Sequence, residues 1–300
     1  MKGIKNRFAA VLAAALVVLT GCSSRKAASS SRTEDLPDTL SAEEVELPDN
    51  KAAYRCTSYQ YEDNELVCKY FQDFDDHDNI IRSETAGDPE NMELTKLYSY
   101  TYDKNGNVTA KTQSYADPPS ADKDIYFHDR FCYYDDGTLK YHVNYTKDSD
   151  SGLWKKNYRR EYDSHGSEVL YISYNTDGST NYRSETQCEY DSGGNRTKET
   201  WHSDGSSQVT EYTYDDAGNI LTAVRTESSE DTDESFVYKT EYAYDSRGNL
   251  IKETKTDPYN ETVSTEYEYD ETDRLIYKDI ISSVSDVHTT YRYEYEKISG

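Results

Sequence analysis

YTYDKNGNV at Tyr100–Val108, YTYDDAGNI at Tyr212–Ile220 and YAYDSRGNL at Tyr242–Leu250 are copies of one phrase: an aromatic, any residue, Tyr-Asp, two variable residues, Gly-Asn and an aliphatic. Looser copies read CYYDDGTL at Cys132–Leu139, EYDSHGSEV at Glu161–Val169, CEYDSGGNR at Cys188–Arg196 and YEYDETDRL at Tyr267–Leu275. With FDDHDNI at Phe74–Ile80 the aromatic-Asp units number eight. A unit recurring at roughly 24–32 residues builds an array of small pieces that bury surface by stacking on their neighbours.

The phrase has a mechanical reading. Tyr-x-Tyr places two aromatics on one face of a strand, because side chains alternate. The repeat aspartates Asp75, Asp103, Asp135, Asp163, Asp191, Asp215, Asp245 and Asp270 suit the first position of a type I turn, where the carboxylate bonds backbone two residues on. The glycine three residues later, as at Gly106, Gly218 and Gly248, accepts a positive φ and closes the turn with a bulge. Pairing Asp215 with Asn219 then sets Tyr214 against Ile220 and Tyr212 against Thr222. The other face is polar: Glu211, Glu241 and Glu266 precede the tyrosine pairs, and Lys198-Glu199-Thr200 and Lys252-Glu253-Thr254 follow the turns.

The links between hairpins divide into two kinds. Thr176–Ser179 and Ser203–Ser206 are short; Ala116–Pro119, Glu230–Glu234 and Asp257–Asn260 read as longer, irregular loops. One sheet edge thus carries uniform turns and the other variable loops, where specificity tends to reside. The fold class expected is all-β: a repetitive antiparallel hairpin meander of some sixteen strands over residues 51–300. A twisted open sheet of more than about ten strands curls, so a curled single-layer sheet with its tyrosines inward is expected.

Composition fits a thin wall. Hydrophobic residues make up 34%, and tyrosine supplies 31 residues against 6 Phe and 2 Trp. Tyrosine buries a ring while its hydroxyl reaches water, which suits a sheet with no thick dry core. Residues 1–22 read as a signal peptide: Lys2, Lys5 and Arg7 precede an apolar run over Phe8–Val18, too short for a mature membrane helix. Residues 23–50, rich in Ser, Ala, Glu, Asp and Pro, read as a flexible tether. The chain carries 33 basic and 58 acidic residues. That balance repels nucleic acid and other polyanions, so neutral or cationic partners are expected and nucleic acid is not.

Beyond Cys22, four cysteines remain. Cys132 and Cys188 each sit three residues before a repeat Asp, where other copies carry tyrosine, and read as tyrosine replacements on one face. Four strands at about 4.8 Å would hold them about 19 Å apart in a flat meander, beyond a disulfide's reach. Cys56 and Cys68, across one turn, are the nearer pair; free thiols are the other reading.

Catalytic signatures are sparse. The six histidines show no metal spacing, and the repeat aspartates are accounted for by turns. Calcium is the one ionic candidate, at Asp73–Asp78 and Glu230–Glu234, though neither has the EF-hand's Gly and Glu. The aromatics are the stronger lead: Tyr212, Tyr214, Tyr242 and Tyr244 on the sheet face, with Trp154 and Trp201 off the repeat position, could stack on sugar rings. A non-catalytic interaction module for a surface polysaccharide, wall component or protein is expected; an acidic-residue hydrolase and a passive spacer are the alternatives.

Two resemblances add to this. Leu19-Thr20-Gly21-Cys22 resembles the lipobox of bacterial lipoproteins, which implies diacylglyceryl attachment at Cys22 and a lipid anchor at the extracytoplasmic face of the cell membrane. Two acyl chains suffice for stable anchoring. The repeats resemble the YD-repeat (Rhs-type) family, whose long hairpin arrays spiral into a shell that encloses a toxin. This chain departs from the shell-formers: it has about eight units, it shows no toxin-like domain after the array, and Asp257-Pro258-Tyr259-Asn260 lacks the Gly of a self-cleavage motif. The resemblance therefore implies the fold and a surface role, not encapsulation.

Overall fold

In the clean copies of the phrase the chain reverses over a five-residue turn. At Asp215 the backbone N–H donates to the Asn219 carbonyl (2.9 Å) and the Gly218 N–H to the Asp215 carbonyl (3.1 Å). Asp215 Oδ1 accepts the N–H groups of Ala217 and Asn219, and its Oδ2 accepts the Asn219 side-chain amide at 2.9 Å. The same Asp–Asn clasp closes the turns at Asp103, Asp191 and Asp245, so the phrase's Asn serves its Asp. Gly218 has φ 87°, a conformation a side chain resists. At Asp75 and Asp163 the second carboxylate oxygen instead accepts the hydroxyl of a tyrosine on the next hairpin, Tyr102 and Tyr190.

The computed structural model describes residues 36–45, 48–86, 95–116, 125–203, 205–229, 232–285 and 288–298. The strands are β1 (Thr39–Leu40), β2 (Tyr54–Glu62), β3 (Glu65–Phe74), β4 (Ile80–Ala86), β5 (Lys96–Tyr102), β6 (Val108–Tyr115), β7 (Ile125–Tyr133), β8 (Leu139–Lys147) and β9 (Trp154–Tyr162). They continue with β10 (Glu168–Tyr174), β11 (Thr180–Tyr190), β12 (Arg196–Ser203), β13 (Ser206–Tyr214) and β14 (Ile220–Ser229). The last are β15 (Thr232–Tyr244), β16 (Leu250–Thr256), β17 (Thr262–Tyr269), β18 (Leu275–Ser282) and β19 (Thr289–Lys297).

From β2 to β19 each strand pairs antiparallel with the next, and β19 pairs with β2 from Thr289↔Glu62 to Lys297↔Tyr54. The meander is therefore a closed barrel of eighteen strands, not the open curled sheet expected. The reason lies in the chain's two ends. Eight turn-borne hairpins account for sixteen strands; Tyr291, Tyr293 and Tyr295 on β19 form the Tyr-x-Tyr half of a ninth unit, and β2 supplies its return strand without a turn. Closure leaves no unpaired sheet edge. Eighteen strands at about 4.8 Å spacing make a ring on the order of 30 Å across.

The two faces of the wall differ in burial. Along β13, Tyr212 and Tyr214 are half-buried while Glu211 and Thr213 are exposed; Tyr242 and Tyr244 alternate likewise with Glu241 and Ala243 on β15. Burial is the leading cause that raises the Tyr244 and Tyr267 phenols to about 12. Tyrosines thus line the concave inner wall, as expected. The bulge beside each turn refines the rest. Tyr214 faces Ile220, but Tyr212 faces Ala223 and Thr213 faces Thr222, because one residue of the return strand is extra. That shift turns Glu199 and Glu253 inward, opposite Cys188 and Tyr242, and leaves Lys198, Thr200, Lys252 and Thr254 outside.

Other expectations are corrected at particular turns. Tyr134, not Asp135, occupies the first turn position of its copy, since the Tyr134 N–H bonds Thr138 and the Gly137 N–H bonds Tyr134. Cys132 consequently faces outward opposite Tyr141, and Cys188 faces inward. Asp257–Asn260, expected as an irregular loop, repeats the five-residue turn on the opposite edge, with Asn260 in the glycine position at φ 65°. Ser229 pairs with Thr232, so Thr232–Glu234, expected in a loop, belong to β15, while Glu230 and Asp231 lie outside the described residues. Ala116 is described, but Asp117–Pro119 lie outside the described residues. Cys56 pairs with Gln72 and Cys68 with Gln60, which separates the two cysteines by about 13 Å along the sheet; none of Cys56, Cys68, Cys132 and Cys188 is in a disulfide.

Of the tether expected over 23–50, Ser23–Asp35 lie outside the described residues, as does Cys22, whereas Leu36–Val45 form a strap on the outer wall. Thr39 and Leu40 pair with Lys155 and Trp154 on the stretch of β9 that extends beyond β10. Leu40 and Val45 cover Tyr141, Val143, Tyr145 and Trp154, the buried cluster of the molecule. Tyr145 donates to the Pro37 carbonyl at 2.8 Å and Arg130 to the Glu44 carbonyl at 2.9 Å. Asn50 then bonds both the N–H and the carbonyl of Tyr100.

Candidate binding surface

The outer wall is a solvated face. Arg183–Glu185, Lys239–Glu241 and Lys252–Glu266 pair across it at 2.6–2.8 Å. A membrane-spanning barrel carries an apolar band outside and polar groups inside; here the Tyr212–Tyr214 and Tyr242–Tyr244 pairs face inward and these ion pairs face outward.

Inside, the rings contact one another around the wall. Tyr158 lies 5.8 Å from Tyr171, and Tyr171 6.0 Å from Tyr182 on the next strand. Cations cover many of the faces: Arg225 lies 4.2 Å from the Tyr238 centroid, Arg196 4.8 Å from Tyr212, and Lys278 5.5 Å from Tyr291. Several phenols return to the wall, Tyr214 to the Arg196 carbonyl at 2.6 Å and Tyr269 to the Leu250 carbonyl at 3.0 Å.

Between β5 and β10 the inner wall changes character. Asp129 on β7 accepts the Asn144 amide at 2.8 Å, and Asn157 donates to Asn144 at 2.9 Å. Lys111 lies across from Asp129 in the ladder and 4.9 Å from the Tyr98 centroid. Burial raises the Asp129 carboxyl and lowers the Lys111 ammonium. His142 sits among Phe131 (5.3 Å), Tyr158 (5.5 Å) and Tyr162 (6.3 Å), and burial first, then Arg160, pushes its imidazole down to about 4. Arg160 lies over Tyr158 and Tyr171 and bonds Glu168 at 3.2 Å. Its buried Nε has no acceptor among the described residues.

The residues expected at the site divide accordingly. Tyr212, Tyr214, Tyr242, Tyr244 and Trp201 all face inward and are half-buried. Trp154 is 2% exposed beneath the strap on the outer wall, so it cannot serve as an accessible platform. The acidic run Asp73–Asp78 is spread over several structural bonds. Asp73 pairs with Arg55, Asp75 closes a turn, Asp76 bonds His77, and Asp78 accepts the Tyr54 hydroxyl. Sequence reasoning missed Lys111, Asp129, His142, Asn144 and Arg160. Their signal was parity with the tyrosines counted across the bulge, which brings return-strand polar residues to the inner face.

Comparison with known proteins agrees with the repeat. Residues 244–279 match the model of the RHS Repeat family. Two solved structures titled porin-like proteins align with this chain. The one from Bacteroides uniformis ATCC 8492 has TM-score 0.40 and 9% identity over 84% of this chain and 100% of its own. The one from Bacteroides vulgatus ATCC 8482 has TM-score 0.36 and 10% identity over 83% and 99%. The TcdB2-TccC3 structure aligns at TM-score 0.22 and 10% identity, over 76% of this chain and 19% of its own. No curated protein matches.

Proposed function

We propose that this RHS-type barrel is a non-catalytic binding module of the cell surface, anchored by lipid at Cys22 on the extracytoplasmic face of the membrane. It takes an extended surface polysaccharide against its inner wall. The observation that carries this reading is the inner row of half-buried tyrosines in a ring on the order of 30 Å wide, with Trp201 among them. Such rings offer apolar faces to a sugar while their hydroxyls stay hydrogen-bonded. The solvated outer wall supports a barrel that stands off the bilayer rather than within it.

The test uses the full chain with Cys22→Ser, purified without lipid, in co-sedimentation with cell-wall and surface polysaccharide, with and without calcium. Saturable binding that weakens on Trp201→Ala or Tyr242→Ala is expected. No binding in any condition returns the chain to the spacer reading. Release of new reducing ends makes it the acidic hydrolase instead. Anchoring is checked separately by labelling cells with a fatty-acid analogue, which the Cys22→Ser chain should not take up.

A further inference from the structure

The inner wall is not uniform, and its uneven part has the makings of a sugar subsite. We propose that the stretch from β5 to β10, centred on Asp129, Lys111, His142 and Arg160, is where a neutral polyhydroxylated glycan is recognised. The inference rests on the polysaccharide reading above and adds the place and the chemistry.

Three observations converge. First, the patch presents planar polar groups between aromatic faces, the composition that fits a pyranose, whose ring has an apolar face and a hydroxylated rim. Asp129 is aimed by Asn144, itself 3% exposed and held by Asn157. That leaves the second Asp129 oxygen without a protein partner among the described residues, free to accept a hydroxyl pair. Tyr98, Phe131, Tyr158 and Tyr171 flank it over five strand spacings, roughly 24 Å of wall.

Second, the charges nearly cancel. Lys111 and Arg160 act on Asp129 as compensating cations, and Glu168 engages Arg160. A polyanion meets the Asp129 carboxylate and acidic turns; a polycation meets Lys111 and Arg160; a neutral chain meets donors and acceptors alone.

Third, Arg160 is fixed within the patch: it lies over Tyr158 and Tyr171 and bonds Glu168, so its guanidinium is held in place before a ligand arrives. On the opposite wall the Tyr214 and Tyr269 hydroxyls are returned to backbone carbonyls.

The experiment measures binding of the full-length Cys22→Ser chain by calorimetry to a linear neutral glucan, a linear mannan and a polyuronate of matched length. A neutral polymer should bind best. Asp129→Asn and Arg160→Gln should each weaken it at least tenfold, more than Tyr242→Ala on the far wall does, while Lys239→Ala on the outer wall should change it less than twofold. Asp129→Asn keeps an oxygen to accept from Asn144, and its thermal melt is read beside the parent's to show that the variant is folded. If Arg160→Gln misfolds, Phe131→Leu replaces it. Binding unmoved by these substitutions but weakened by Tyr242→Ala overturns the subsite while keeping the polysaccharide reading. Preference for the polyuronate overturns the charge argument. No binding to any of the three overturns this inference, and failure with native wall material as well overturns the reading beneath it.

Discussion

The half of the barrel from β11 to β18 and the half from β5 to β10 are built from the same hairpin and do different things with it. In the first, the turns at Asp191, Asp215 and Asp245 close with the Asp–Asn clasp, and the outer face is an alternation of Lys, Glu and Thr. In the second, Tyr134 replaces a turn aspartate, the outer face becomes Tyr141, Val143, Tyr145 and Trp154 under a strap, and the inner face acquires Asp129, His142 and Arg160. Where the repeat is kept, its residues serve the wall. Where it is broken, the freed positions hold a buried cluster outside and a polar network inside.

The largest test of that contrast is a pair of tryptophan truncations. Trp154→Ala empties a buried site where strap and wall meet and should cost about 3–5 kcal/mol. Trp201→Ala, half-buried on the inner wall of the regular half, should cost clearly less; urea unfolding of both variants compares them. Equal losses would mean the strap adds nothing to the irregular half.

Next is the turn itself. A Cβ on Gly248 meets nothing within 4 Å, yet its φ is 90°, so Gly248→Ala should cost roughly 1–2 kcal/mol from backbone alone. A thermal melt reads it, and a loss near zero would show that the bulge can move.

Acid should separate the halves by pH. His128 and His142 are pushed down to about 4 by burial. An unfolded chain protonates them from about pH 6.5, so it binds more protons and stability falls as pH drops from 6.5 toward 4. The clasped aspartates run later. Hydrogen bonds from Asn219 and Asn195 hold Asp215 and Asp191 below the usual range, so the stability they add is complete above about pH 4 and lost as pH falls through the folded values. Melting temperature across pH should therefore decline in two stages. His128→Gln with His142→Gln should flatten only the first. The smallest effect expected is Asp215→Asn, a slight drop in melting temperature at pH 7 that vanishes in acid.

Much of the regular half was legible from the phrase. Tyr-x-Tyr-Asp with Gly and Asn at fixed offsets has one economical geometry, and the turns at Asp215 and Asp245 follow it. The irregular half was not legible, because the same letters carry a shifted register. In Cys132-Tyr133-Tyr134-Asp135 the aspartate looks like the turn residue, yet Gly137 sets the turn one place earlier and reverses which face every following side chain meets. Parity is unforgiving in a strand: a one-residue shift exchanges inside for outside.

What the sequence by itself determined is local: eight turns, antiparallel hairpins and one aromatic face, since each depends on backbone preferences within a few residues. Only the tertiary structure decided closure, the strap and the inner polar patch. β19 finds β2 across more than two hundred residues because the other sixteen strands, adding spacing and twist, bring their edges together. The strap docks because the outer face it covers is apolar only once the register has been set.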